Sequence, residues 1–394
     1  MQQSGRSGKE KTVRELNDIR KDIDAVDETI LSAFERRIEL SDQVAEYKRS
    51  KGLPVYDVER EKAKISALSD KVDSDFMKKG VRELFTDLMS LSKKKQYRLL
   101  SERADAPDGF IEVDHIDFSS STVVFQGVEG AYSEEAMRTF FGDIGSSFNV
   151  GSFYEAMKAL SDGRAGFAIL PFENSRAGAV SENYDLICDF NLAIVGEQIL
   201  PIRHTLLGQP GASLSDVRDV YSHPQALMQC SGFFREHPEI SQHPLTNTAI
   251  AAKTVAESGD PAKAAIAGAI NSKLYGLDVL ADSIADDPDN KTRFVVLSRK
   301  KIYEKDANMI SVEIELPDIE GALYRMLSHF SVNDLNMHEI QSRPIPGRDW
   351  EYRFFIDFTG NLSNKAVQNA ILGLREETQK LVVLGNYVSS RDLP

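Results

Sequence analysis

Arg37 and Lys48 are the residues whose positions first suggest chemistry. They continue a run of apolar residues, Leu16, Ile19, Ile23, Val26, Ile30 and Phe34, whose three-four spacing marks one face of a helix. Eleven residues, close to three full turns, separate the two cations, so they share that face. A cation on an inward stripe is costly unless something anionic pairs with it. Asp57, Arg60 and Glu61 follow at i, i+3, i+4 spacing on a second helix face, and Ser92 with Gln96 on a third. Arg20 lies roughly 100° around the first helix from Arg37 and points towards a different site. Two readings fit this set. One is ordinary surface ion pairs, which are worth little; the other is a site for an anionic ligand.

A second group of candidates is rich in hydroxyls and amides. GVEGAYS (127–133) follows a strand and opens a helix, where glycines permit close backbone approach and Ser133 suits a helix start that attracts anions. PFENS (171–175), SHPQAL (222–227), TNTA (246–249) and NKTRF (290–294) are similar in character, and three of them sit at apparent strand ends. No Ser-His-Asp set or reactive cysteine pattern accompanies them. His204 and His223, taken singly, read more readily as structural than as catalytic. Near the end, GAL (321–323) opens a helix and QSRP (341–344) ends a strand. Each alone reads as structure, Gly321 easing helix packing and Pro344 a turn.

The elements that position these groups fall into three segments. Residues 12–100 read as three helices, the first running to about Lys51, where Gly52 and Pro54 stop it, the second starting near Asp57, the third covering about Phe76 to Leu100. Helices so unequal cannot close a core alone, which predicts a homodimer or higher homo-oligomer. Residues 101–121, acidic and ending in a serine run, read as a linker. In 122–300, strands such as TVVFQG, AGFAILPF, LAIVGEQIL, AAIAGAI and RFVVLSR alternate with amphipathic helices, an α/β pattern whose ligands sit at strand ends and cleft mouths. In 308–390, Ile310, Val312, Ile314 and Leu316 alternate, as do Trp350, Tyr352, Phe354, Ile356 and Phe358, and with two helices the order is βαββαβ, a ferredoxin-like unit.

Bulk properties narrow the class. A formal charge of −14 argues against non-specific nucleic-acid binding. No apolar run reaches the roughly 18 residues that span a membrane. Cys188 and Cys230 make neither a disulfide framework nor a zinc set, and the histidines lack metal-ligand spacing. The polar start, Met1 to Lys11, reads as a loose tail. The expectation is a cytoplasmic protein with no metal, nucleic-acid or membrane partner.

The helical segment resembles the all-helical chorismate mutases, in LxxIRxxIDxxDxxILxxFxxR from Leu16 to Arg37, then Lys48, DxxRE from Asp57, and SxxxQ from Ser92. The resemblance implies an intertwined dimer that rearranges chorismate to prephenate without a cofactor. It implies that Arg37 and a partner's Arg20 bind carboxylates and that Lys48 and Gln96 hydrogen-bond the ether oxygen. Glu61 with Asp57 would hold the hydroxyl, and Arg60 and Ser92 would complete the wall. The α/β segment is similar to prephenate dehydratases, most specifically in TRF (292–294) and SHPQAL. That likeness implies two lobes around a cleft, as in periplasmic ligand-binding proteins, and formation of phenylpyruvate. Thr292 would be the proton donor or its close partner, with Arg293 nearby for carboxylate binding or structure. Ser133, Asn174, Ser175, Gln225 and Thr248 would line the cleft, and Glu173 would support it. Arogenate is the alternative substrate, and an attached mutase favours prephenate.

The last segment resembles the ACT domains attached to prephenate dehydratases. By that resemblance Gly321, Ala322 and Leu323, with Asn336, Gln341, Ser342, Arg343 and Pro344, enclose L-phenylalanine between facing subunits. Gln341 stands where the family has glutamate, which leaves the strength of the response open. A ligand-binding regulator without chemistry would account for residues 122–394, but not for the polar set on the helices.

Overall fold

The computed structural model describes residues 14–101, 107–142, 145–345, 347–348 and 351–390. The chain forms two compact units, one of residues 1–104 with Leu372–Glu377, the other of residues 105–371 and 378–394. Met1 to Lys11 and Trp350 lie outside the described residues.

The first unit contains α1 (Leu16–Lys51), α2 (Val58–Ser69) and α3 (Asp75–Ser101). Gly52 ends α1 in the left-handed region, φ 63°, returning its N–H to the carbonyls of Lys48 and Arg49. Asp57 caps α2, its carboxylate accepting the N–H of Arg60 at 3.1 Å. The third helix packs against both others. The apolar stripe at the start of α1 stays open in the single chain: Ile23, Val26 and Ile30 are each more than half exposed.

The second unit is built on two sheets. The larger runs in the order 146–150, 122–126, 167–174, 291–298, 193–201, 380–387, 309–315, 352–359, 337–344, and the dipeptide Gly178–Ala179 pairs off it with strand 167–174. Its first five strands form one α/β lobe, packed on apolar cores around Leu170 and Ile169. The five-stranded sheet 278–281, 205–208, 263–267, 219–222, 241–244 forms the second lobe, with separate cores around Leu206 and Leu207. The chain passes between the lobes near 202–204 and again near 282–290, which leaves a cleft where Thr292 opens the return strand.

The last four strands of the larger sheet carry helices Ala322–Val332 and Lys365–Glu377, and their chain order is βαββαβ, as the alternation predicts. This part shares its sheet with the first lobe, because Gly385 pairs with Ile194. A Cβ at Gly385 would lie 2.3 Å from the carbonyl oxygen of Ile194, so the join requires glycine.

The expectation of a linker over 101–121 needs correcting. Ile111–Val113 pairs in parallel with Ile302–Glu304, and Phe110 and Ile116 are buried. The acids and serines dominate the composition there, yet they flank FIEV, a short apolar stretch that folds onto the second unit. Residues 102–106 of the expected linker lie outside the described residues.

Candidate active sites

In the helical unit, the turn ended by Gly52 and the cap at Asp57 bring α1 and α2 together around Lys48. Its Nζ donates to the carbonyl of Val55 at 2.6 Å. Burial lowers the pKa of Lys48, while the carboxylate of Asp57 opposes that shift. Arg37 reaches across to α3, donating to the hydroxyl of Ser92 and the carbonyl of Leu88. Burial depresses its pKa as well. Gln96, one turn beyond Ser92, is buried; its Nε2 donates to the Ser92 carbonyl at 3.2 Å, and its Oε1 has no hydrogen-bond partner among the described residues.

Glu61 is held by Lys93, 3.2 Å away. Burial raises the pKa of Glu61 and Lys93 counters it. Lys93, which the sequence reading passed over, also lies 3.3 Å from Glu377. It looked like one of three consecutive lysines, and nothing local distinguishes it as buried. Arg60 and Arg20 are exposed. One chain therefore gathers Arg37, Lys48, Glu61, Ser92 and Gln96 with their cations half-buried, and leaves Arg20 on the open part of α1.

The cleft of the second unit has a volume of about 370 Å³, within the usual range for a small-molecule site. Ser133, Asn174, Gln225, Thr248 and Thr292 all line it. Ser133 enters at the start of helix Tyr132–Phe141, and Thr248 starts a helix capped by Asn247. Gln225 follows His223, whose Nδ1 accepts the Gln225 N–H at 3.2 Å. Ser175 is turned to hold the N–H of Lys291 at 3.0 Å and does not line the cavity.

Thr292 and Asn174 face each other in register across two antiparallel strands. The orientation of Asn174 is fixed by the backbone. Its Oδ1 accepts the N–H groups of Arg176 and Ala177 at 3.1 and 2.9 Å, so its Nδ2 must point the other way. There it donates at 2.9 Å both to Thr292 Oγ1 and to Asn290 Oδ1. With one lone pair of Thr292 so occupied, its own proton remains available to donate.

Arg293 departs from the carboxylate-binding alternative. Side chains alternate along a strand, so with Thr292 and Phe294 facing the cleft, Arg293 points behind it. It is 5% exposed and packed among carboxylates: Glu197 at 2.5 Å, Asp357 at 2.9 Å and Glu339 at 3.5 Å. Burial alone would lower its pKa, but Asp357, Tyr387 and Glu197 hold it well above the ordinary value. Its place is structural. Glu173, in register with Arg293, does not line the cleft either.

Tyr132 and Gln229 line the cleft without having been singled out individually, as does His204, which read as structural, and Asn290 bonds to Gln229 behind them. Tyr132 and Asn290 stood inside strings already singled out. His204 and Gln229 sit in a crossing segment and at a helix end, and only the closing of the two lobes brings them together.

In the βαββαβ part, Gly321 caps helix Ala322–Val332 with φ 73°, and Leu323 on that helix is exposed. Gln341, Ser342, Arg343 and Pro344 end the edge strand Met337–Pro344, and Asn336 precedes it. Arg343 reaches Asp185 at 2.5 Å, where Arg353 also pairs.

A helical unit with a polar set fit for an anionic ligand, joined to a two-lobed α/β unit with a small-molecule cleft, defines a two-site enzyme. Comparison with known proteins gives the family. The family model for chorismate mutase type II matches residues 19–97, and that for prephenate dehydratase matches residues 123–302. The bifunctional chorismate mutase/prephenate dehydratase of Enterobacter agglomerans is 32% identical, over 95% of this chain and 96% of that relative. Among solved structures, the prephenate dehydratase of Arthrobacter aurescens in complex with L-Phe is 32% identical with a TM-score of 0.63, over 69% of this chain and 92% of that one. GqqA, described as a novel type of quorum quenching acylase, is 31% identical with a TM-score of 0.64, over 68% and 98%. The chain belongs to the bifunctional chorismate mutase/prephenate dehydratase family, an isomerase and a lyase of phenylalanine biosynthesis on one polypeptide.

Proposed function

We propose that the helical unit rearranges chorismate to prephenate, that the cleft converts prephenate to phenylpyruvate, and that L-phenylalanine inhibits through the βαββαβ part acting as an ACT domain. In the first step the substrate dicarboxylate is held in a compact conformer and charge on the breaking ether oxygen is stabilised. Arg37 binds a carboxylate, Lys48 and Gln96 donate to the ether oxygen, Glu61 with Asp57 holds the hydroxyl, and Arg60 and Ser92 close the wall. Arg20 serves the partner's site in a homodimer. The open apolar stripe of α1 supports that assembly, because it needs a cover that this chain's three helices do not supply.

In the second step the ring carboxylate leaves as carbon dioxide. The electrons of the broken C–C bond flow into the ring, and the ring hydroxyl leaves with one added proton as water. Aromatisation drives the step, so the protein needs mainly a proton donor at the hydroxyl and groups that hold the substrate. The observation that carries this reading is the fixed Asn174–Thr292 hydrogen bond, which leaves the Thr292 proton for the departing hydroxyl. Ser133, Gln225 and Thr248 hold the substrate around it.

Regulation is supported by the L-Phe complex of the A. aurescens relative and by one connection within the second unit. Glu339 lies on the strand that ends in Gln341–Pro344, and it pairs with Arg293, the neighbour of Thr292. The cytoplasm suits two unpaired cysteines and a chain in which no described helix is long and apolar enough to cross a membrane.

The test is to supply chorismate alone, follow phenylpyruvate, then titrate L-phenylalanine. Phenylpyruvate should appear and its rate should fall with L-phenylalanine. A well-folded sample that makes none refutes the two-step reading, and production indifferent to L-phenylalanine refutes the regulatory part.

A further inference from the structure

Asn174 is one end of a longer chain of side-chain hydrogen bonds whose direction can be worked out link by link. Its Nδ2 faces Asn290, so the Asn290 atom that meets it must be the acceptor Oδ1, at 2.9 Å. That leaves Asn290 Nδ2 as the donor to Gln229 Oε1, at 3.3 Å. Gln229 Oε1 lies 2.8 Å from His204 Nε2, and an acceptor there requires Nε2 to carry a hydrogen. Beyond His204, its Nδ1 lies 3.1 Å from the hydroxyl of Tyr132. Burial raises the Tyr132 pKa, so that hydroxyl keeps its proton. The neutral ring accepts it at Nδ1, and a protonated ring would let it turn to the Arg203 carbonyl at 2.8 Å. In either state Nε2–H still donates to Gln229.

We propose that His204 is a positioning residue of the dehydratase: its Nε2–H fixes Gln229 and, through Asn290, the Asn174 amide that orients the Thr292 hydroxyl. The inference rests on Thr292 being the donor to the departing hydroxyl. His204 and Asn290 are each 2% exposed, so neither can exchange these partners for bulk water. Without the Nε2–H, Gln229 is free to flip and present its amide nitrogen to Asn290 Nδ2, setting donor against donor. The Asn174 amide then loses its Asn290 acceptor, and its Nδ2, still held on the Oδ1 side by the backbone, shifts toward the Lys291 carbonyl at 3.2 Å at the expense of Thr292. The donor hydroxyl loosens while the groups that bind substrate stay in place.

The experiment uses the full chain with H204L, H204Q, H204N and T292A, measuring dehydratase kcat and KM for prephenate. Mutase activity and circular dichroism of each preparation serve as controls of fold. H204L should lower kcat about 10- to 100-fold, the scale of a misplaced reacting group, with KM near wild type and the mutase unchanged. H204Q carries an amide N–H at the ε position and should stay within about threefold of wild type. H204N falls one atom short of Gln229 and should behave like H204L. Wild-type kcat in H204L, with T292A inactive, overturns the inference and leaves the Thr292 reading intact. Activity retained in T292A overturns the Thr292 reading itself. Should H204L fail to fold, H204Q against H204N decides: equal kcat in the two overturns the Nε2–H assignment.

Discussion

Replacing Arg293 by methionine removes the cation shared by two buried carboxylates, Glu197 and Asp357, and the partly buried Glu339, while keeping a side chain of similar reach. Glu197, whose side chain is fully buried, would lose its 2.5 Å partner, keeping Ser389 and the N–H of Ser390 on its other oxygen. Asp357 would keep Ser311. Hydrogen bonds from neutral groups do not offset a stranded charge, and breaking a buried pair on one side costs about 3–5 kcal/mol. Against a total stability of about 5–15 kcal/mol, that is a loss on the order of 10 °C in the melting temperature of the unit.

The loss should also depend on pH in a defined sense. Without the guanidinium, mutual repulsion raises the carboxylate pKa values of the folded state above those of the unfolded chain. The native state then takes up protons as the pH falls, so the deficit is larger at pH 8 than at pH 5. Urea denaturation at both pH values, with prephenate kinetics on the folded fraction, measures it. Wild-type stability with a raised KM and unchanged kcat would refute this account and return Arg293 to the substrate.

Other outcomes follow from the same geometry. Lys48→Ala should lower mutase turnover about 100- to 1,000-fold, the usual loss when a donor to developing charge is removed, and spare the dehydratase. Thr292→Ala should do the reverse, and loss of both activities in one folded variant would contradict separate sites. Burial holds the folded-state pKa of His204 below its ordinary 6.5. The unfolded chain therefore gains a proton first as the pH falls, and stability drops below about pH 6.5. The urea midpoint of H204Q should fall less between pH 7.5 and 5.5, with a remainder from His223, whose pKa burial also lowers.

Much was legible in the sequence where periodicity is strong. The helix end at Gly52, the helix start near Asp57, the five strands of TVVFQG and its companions and the βαββαβ order all follow from local patterns, and the structure has them. The segment before Thr122 was misread because composition outweighed the short apolar run that pairs with Ile302–Glu304. Lys93 was missed because a lysine among lysines carries no local mark of burial.

The sequence by itself determined which residues could do chemistry, since the spacing of Arg37, Lys48, Glu61 and Gln96 and the string around Thr292 are written locally. Whether each faces a ligand was decided by the tertiary structure. Adjacent residues of one strand, Thr292 and Arg293, part company because the pleat sends them to opposite faces, one into the cleft and one among carboxylates contributed by Glu197, Glu339 and Asp357. Likewise His204, Gln229, Asn290 and Asn174, spread over more than a hundred residues, become one directed chain only when the lobes close. Hydrogen-bond direction is a property of groups in contact, and contacts between distant segments are set by packing.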